Sequence, residues 1–135
     1  MAMAPGGETY EDEPYAALTS QQTHPDLMAT IGLLLGLHPA PVDACRVLEL
    51  GCASGANILA MAEVLPGTEF TGIDISQRQV EEGQAAAHAL GLGNVSLVQG
   101  DIRDLAALEP GTFEYVIAHG VYSWVPPDVR EALLA

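Results

Sequence analysis

Strand-like and helix-like segments alternate from residue 46 to the end of this 135-residue chain, and that alternation constrains the fold more than any other feature. "RVLELG" (46–51) is rich in β-formers and mostly apolar. A helical pattern runs from Ser54 or Gly55 to about Leu65, where "PG" stops it. "EFTGIDIS" holds a second strand. Ser76 opens the next helix with Gln79 three residues on, the spacing of a capping box, and Gly91 suits a left-handed C-cap. "NVSLVQGD" reads as a third strand, "IRDLAAL" as a short helix, "FEYVIAHG" as a fourth strand and "PPDVREALLA" as a last helix. A βαβαβ run of this kind predicts an α/β fold, a doubly wound parallel sheet with helices on both faces. Right-handed crossovers predict the strand order 3-2-1-4. Ligands bind such sheets at the carboxyl ends of the strands, in the gap between strands one and four.

The remaining segments are less regular. Residues 1–22 are polar, with Pro5, Gly6, Gly7 and Pro14, and read as an irregular amino-terminal segment. The acids Glu8, Glu11, Asp12 and Glu13 fit a solvated, mobile tail. In "THPDLMATIGLLLGL" Thr23 can cap a helix, Pro25 suits its first turn and Asp26 favours the positive end of its dipole. Leu27, Met28, Ile31, Leu34 and Leu35 then fall on one stripe, expected to be buried. "YVIA" (115–118) is apolar on both faces, like a strand in mid-sheet, yet the order 3-2-1-4 leaves it at an edge. Residues 23–135 are therefore expected to form the amino-terminal part of a domain, with the remainder of the same chain as a partner.

Composition narrows the function. Eighteen acids against four Lys plus Arg give a net charge of −14, which argues against broad binding to a nucleic-acid backbone. Cys45 and Cys52 carry no metal-ligand spacing and read as reduced, packed thiols. The opening residues "MAMAPGG" lack a basic region followed by an apolar one, and "IGLLLGL" is too short to span a bilayer. A cytoplasmic location, with neither membrane nor metal, is the expectation.

Three acids line up at one end of the predicted sheet. Glu49 lies in strand one, Asp74 ends strand two and Asp101 follows strand three. Acids at consecutive strand ends converge on one crevice in a doubly wound sheet, the pattern of a nucleoside-binding site. Gly51 and Gly55 lack a Cβ, so a ligand can lie against the backbone there. The Asp74 carboxylate can accept from both ribose hydroxyls, Asp101 from an exocyclic amine of adenine, and Ile75 and Ile102 can sandwich the base.

These stretches resemble the class I S-adenosylmethionine-dependent methyltransferases, whose fold is Rossmann-like. "VLELGCASG" is similar to their first motif, "GIDIS" to their second, "VQGDIRDL" to their third, and "FEYVIAHG" falls where their fourth lies. "THPDLMATIGLLLGL", "LGCASGANIL" and "HGVYSWVPP" look closer to a bacterial subgroup in which a methyltransferase regulatory domain follows the catalytic one. The resemblance implies S-adenosylmethionine as cofactor and S_N2 methyl transfer to an acceptor the sequence does not identify. It implies cofactor contacts from Glu49, Gly51, Cys52, Ala53, Gly55, Asp74, Ile75, Asp101, Ile102 and His119. Many family members carry glycine where this chain has Ala53, so the loop is expected to sit slightly differently.

His119, just past strand four, is the candidate general base, or else it caps the strand end. Tyr122 and Trp124 either wall the acceptor pocket or belong to the core beneath the next helix. The segment from Tyr15 to His24 is either a lid over the cofactor or a packing arm. His88 is expected to be exposed, and His38 to have no chemical role. Two other functions remain compatible. One is a non-catalytic regulatory or interaction module. The other is a nicotinamide-dependent oxidoreductase, whose glycine fingerprint this chain meets with Ala53 and Ala56 at its second and third places.

Overall fold

A computed structural model describes residues 18–108 and 111–134. The early acidic cluster and Tyr15 lie outside them. The sheet contains β1 (Arg46–Leu50), β2 (Glu69–Asp74), β3 (Val95–Gln99) and β4 (Tyr115–Ile117), in the order β3-β2-β1-β4. All three pairings are parallel. Four α-helices accompany it: α1 (Pro25–Leu34), α2 (Ala56–Val64), α3 (Gln77–Ala89) and α4 (Pro127–Leu134). Short 3-10 turns occupy Gln21–Thr23, Val42–Ala44 and Ile102–Leu108.

β1 is buried from Val47 to Leu50 because both faces of the sheet are covered. Its side chains alternate between two cores. Val47 packs with Ile58, Met61, Phe70, Val80 and Leu97 on one side. Leu48 and Leu50 pack with Ile73 on the other, against Ile102, Leu105, Phe113 and Leu133. Glu49 points to the same side as Val47 by the two-residue period of a strand, yet it sits where the apolar run ends, beside the turn. Cys45 and Cys52 are free and buried. Among the described residues no helix is long and apolar enough to cross a membrane, and no cluster of His, Cys, Asp or Glu is arranged to hold a metal ion.

The helix boundaries follow local chemistry. Ser76 accepts from the backbone N–H of Gln79 and so caps α3. Gly91 closes that helix at φ 68°. The cap of α1 is His24, whose Nδ1 accepts from the Asp26 N–H, where Thr23 was expected. Thr23 is drawn inward into a buried polar cluster and is no longer free to cap.

The leucine stripe of α1 is corrected by the structure. Leu27, Ile31, Leu34 and Leu35 are exposed, and the buried positions of this helix are Pro25 and Gly32. Met28 and Ala29 of the helix are half-buried against the core. A helix so apolar all round has little amphipathic signal, so its sequence pattern does not say which side faces inward.

Candidate functional site

The turn between β1 and α2 begins where the sheet stops. Gly51 and Cys52 both donate backbone N–H bonds to the Ile73 carbonyl, at 2.8 and 3.2 Å, which ties the turn to β2. Gly51 has φ 71°, and a Cβ there would meet Val121 Cγ2 at 2.6 Å. The glycine therefore allows the segment after β4 to close over the turn. Gly83 does the same from α3: a Cβ there would lie 2.4 Å from the Ser54 carbonyl oxygen. Ala53 adopts φ 52°, the one non-glycine residue with positive φ among the described residues. An L-residue in the left-handed region costs about 1–2 kcal/mol. The Asp74 carboxylate offsets part of that cost, because its Oδ2 accepts from the Ala53 N–H at 2.7 Å. Its Oδ1 accepts from the Ser76 N–H at 2.9 Å. Asp74 thus links the turn to the start of α3 while keeping lone pairs on both oxygens.

Beside this turn lies a cavity of about 220 Å³. Glu49 of β1, the turn residues Gly51 to Ser54, and Ala56 and Asn57 of α2 form its floor and one wall. Leu18, Thr19 and Ser20 line it from the amino-terminal side, and His119 and Gly120 from the end of β4. It is the crevice between β1 and β4 that the strand order demands.

Glu49 is its unusual member. The side chain is buried, Oε1 accepts from Asn57 Nδ2 at 3.0 Å, and Oε2 is buried with no hydrogen-bond partner. Burial pushes its pKa up to about 7, the Asn57 hydrogen bond opposes the shift, and the charge of Asp74 adds to it. The Cys52 thiol, also buried, is pushed up by burial and then by Asp74 and Glu49, so it stays protonated.

The cavity brings together Glu49, Gly51, Cys52, Ala53 and His119 from the residues singled out in the sequence. The other candidates lie outside it. Gly55 is the N-cap of α2, left-handed at φ 73°. Asp74 sits behind Ala53 at the end of β2, with Ile75 exposed beyond it. Ile102 is half-buried against Leu48, Leu50 and Ile73. Asp101 is engaged by Arg103: Oδ1 accepts from the Arg103 backbone N–H at 2.9 Å and from Nε at 3.0 Å, and Oδ2 accepts from Nε and Nη2. Those bonds hold the Asp101 carboxyl below the usual range. Arg103 also reaches Asp128 at the start of α4, at 3.0 Å. His119 is exposed on the cavity rim. Tyr122 and Trp124 are exposed rather than core, with the Arg130 guanidinium 5.3 Å from the Tyr122 ring centre.

Sequence reasoning missed Asn57. Its amide joins Glu49 to Thr23 and to the backbone of Ser20. The available signal was a lone amide in the first turn of the otherwise apolar "ANILAMA", eight residues after Glu49.

Known proteins are similar to this chain in sequence and fold. Residues 47–135 match the family model described as "Methyltransferase domain". The chain is 37% identical over 126 residues to uncharacterized protein RP028 of Rickettsia prowazekii, covering 93% of this chain and 50% of that one. Its structure superposes on that of PKMT2 from Rickettsia typhi in complex with AdoHcy with a TM-score of 0.84 and 38% identity, over 90% of this chain and 23% of that one. A SAM-dependent methyltransferase from Thiobacillus denitrificans, in complex with S-adenosyl-L-homocysteine, aligns with a TM-score of 0.56 and 28% identity, over 90% of this chain and 46% of that one. The chain thus spans half the length of one relative and about a quarter of another.

Proposed function

The chain belongs to the methyltransferase domain family, in the class that uses S-adenosylmethionine, and we propose that its crevice holds this cofactor for methyl transfer to an acceptor placed on the His119 side. The observation that carries the reading is the buried, unpartnered Oε2 of Glu49 at the cavity wall. A buried carboxylate oxygen without a donor is costly, and an incoming cationic amino group removes the cost.

The cavity residues fit the methionine part of the group, and the strand-end residues beyond the cavity offer contacts for its nucleoside part. Glu49 Oε2 can accept from the amino group of the methionine part. The Gly51–Ala53 backbone has no long side chain to obstruct that part. Asp74 spends one acceptor site of each oxygen on Ala53 and Ser76, which leaves the outward sites for the ribose diol. The exposed Ile75 and the half-buried Ile102 are the apolar surfaces the reading assigns to the base, and Asp101 would accept from its amine once Arg103 turns away.

When bound, S-adenosylmethionine supplies an electrophilic methyl group on a sulfonium. The protein's part is alignment: the turn, Glu49 and Asp74 fix both ends of the cofactor, and such orientation supplies roughly 7–11 kcal/mol of a barrier. Val121, packed over Gly51, helps exclude water where β4 meets the turn. His119 stands at the rim, placed to take a proton from an acceptor that must lose one. Tyr122 and Trp124 offer exposed aromatic surface on the same loop for holding that acceptor.

Calorimetric titration of the full chain with S-adenosylhomocysteine tests the reading, with NADH as the control ligand. Saturable binding of one nucleoside per chain and no response to NADH is the expected result. The reverse pattern would reject it. Methyl transfer from labelled S-adenosylmethionine to a panel of small-molecule and peptide acceptors then identifies the substrate.

A further inference from the structure

Asn57 is the buried side chain that joins the cofactor-facing carboxylate to the amino-terminal segment. Its amide makes three hydrogen bonds. Nδ2 donates to Glu49 Oε1 at 3.0 Å and to Thr23 Oγ1 at 2.9 Å, and Oδ1 accepts from the Ser20 backbone N–H at 2.9 Å. The Thr23 hydroxyl in turn donates to the Ser20 carbonyl at 2.9 Å. The directions leave no ambiguity in the amide. A backbone N–H only donates, so the atom facing Ser20 must be the oxygen, and the nitrogen must face Glu49 and Thr23. Asn57, Glu49 and Thr23 are each less than a tenth exposed.

This network has two consequences. Asn57 engages one oxygen of the Glu49 carboxylate, and the other, in a residue that lines the cavity, is buried without a hydrogen-bond partner. It also holds Ser20–Thr23 in place, and with them the stretch Leu18–Ser20 that lines the same cavity. We infer that Asn57 is a positioning residue for cofactor binding: it aims Glu49 at the cofactor's amino group and couples that contact to docking of the 18–23 segment over the cavity. The inference rests on the proposed cofactor reading and adds a residue and a linkage to it.

Coupling is reciprocal. If segment docking organises Glu49, occupancy of Glu49 by an ammonium group stabilises the docked segment by the same factor. A ligand with the nucleoside but no amino-acid part gains nothing from Glu49, so it leaves the segment as it was. That difference separates positioning from a merely structural role.

The test uses the full chain, titrated with S-adenosylhomocysteine and with 5′-methylthioadenosine, which lacks the amino and carboxyl groups. Hydrogen exchange of residues 18–24 is followed in parallel. In the wild type, S-adenosylhomocysteine should slow exchange of this segment several-fold and methylthioadenosine should not. Asn57→Ala should lose roughly tenfold or more in affinity for S-adenosylhomocysteine, keep its affinity for methylthioadenosine within about threefold, and lose the ligand-dependent protection. Thr23→Val removes the hydroxyl that accepts from Asn57 and leaves the Asn57 bonds to Ser20 and Glu49 in place. It should weaken the protection with a smaller loss of affinity, and it serves if Asn57→Ala does not fold. Unchanged affinity in Asn57→Ala, an equal loss for both ligands, or no wild-type protection on binding S-adenosylhomocysteine would each overturn the inference. Failure of the folded wild type to bind either ligand would overturn the cofactor reading itself and this inference with it.

Discussion

Glu49 and Asp101 occupy comparable places in the chain, at or just past the carboxyl ends of β1 and β3, but the fold treats them in opposite ways. Glu49 is buried, with one oxygen unpartnered and its pKa raised to about 7. Asp101 is half-buried, with both oxygens filled by Arg103 and its pKa lowered. Asp74 lies between them in space and in character, bonded to two backbone N–H groups that hold the glycine turn against α3. An acid's position in a motif says where it stands; its partners decide what it can still bind. Glu49 has an oxygen left for a cation, Asp74 has acceptor sites left for hydroxyls, and Asp101 has neither until Arg103 moves, which is what the proposed cofactor reading draws on.

The largest effect is expected at Asp74. On the proposed cofactor reading, Asp74→Ala removes the acceptor for two ribose hydroxyls, at about 1.5–3 kcal/mol each for bonds to a charged group. Affinity for S-adenosylhomocysteine should fall by about 3–6 kcal/mol in calorimetry. A change smaller than threefold would show that the diol lies elsewhere.

Next comes the pH dependence of stability through Glu49. Its folded pKa, about 7, lies above the ordinary value of 4.5. The folded state therefore favours the protonated carboxyl. That contribution is complete below about pH 4.5 and disappears as pH rises through about 7. The full change is on the order of 3 kcal/mol, since each tenfold difference in proton affinity between the folded and unfolded states is worth about 1.4 kcal/mol. Glu49→Gln, which cannot ionise, should lack this loss, so urea melts at pH 5 and pH 8 should show wild type falling relative to the variant. Parallel behaviour of the two proteins would mean that Glu49 is solvated.

Ala53→Gly sharpens the comparison at the turn that Asp74 supports. Glycine removes the left-handed cost of about 1–2 kcal/mol. It adds about 0.4–1 kcal/mol of unfolded-chain entropy. The net effect expected is a stabilisation of about 1 kcal/mol or less in denaturant melts. A destabilised variant would show that the alanine methyl makes a packing contact worth more than the strain.

The smallest effect belongs to Arg103→Ala. Its ion pairs with Asp101 and Asp128 are on the surface, so the melting temperature should hardly move. Affinity for S-adenosylhomocysteine should rise modestly, because Asp101 becomes free to accept from the adenine amine. A drop in affinity would instead assign Arg103 itself to the base.

Much of this could be read from the residues, and the parts that could not share a cause. The strand order follows from βαβ alternation and crossover handedness, which are properties of the chain's local pattern. Ser76 and Gly91 announce the two ends of α3 by their own chemistry. The glycine turn and the acids at the strand ends were visible because their spacing is set by the sheet. α1 was misread because leucines surround it, and burial is decided by neighbours that periodicity does not contain. Asn57 and the Arg103 fork escaped notice for the same reason. Each acts across the fold, on a partner whose distance in sequence carries no period: Asn57 bonds Ser20, 37 residues away, and Arg103 bonds Asp128, 25 residues away. Ala53 was visible as a departure from the glycine pattern. Its left-handed backbone and the Asp74 bond that supports it emerge only from the three-dimensional fold.

The central claim is that a buried carboxylate at the end of β1 awaits the ammonium of a bound cofactor. The most direct measurement is the affinity of S-adenosylhomocysteine as a function of pH, in the wild type and in Glu49→Gln. Binding must release the proton that Glu49 carries below about pH 7, so wild-type affinity should rise by up to roughly tenfold per pH unit from about pH 5 to 7 and then level off. The variant should bind more weakly at pH 8 and show no such rise. A wild-type profile that is flat, or that the variant reproduces, would contradict the account.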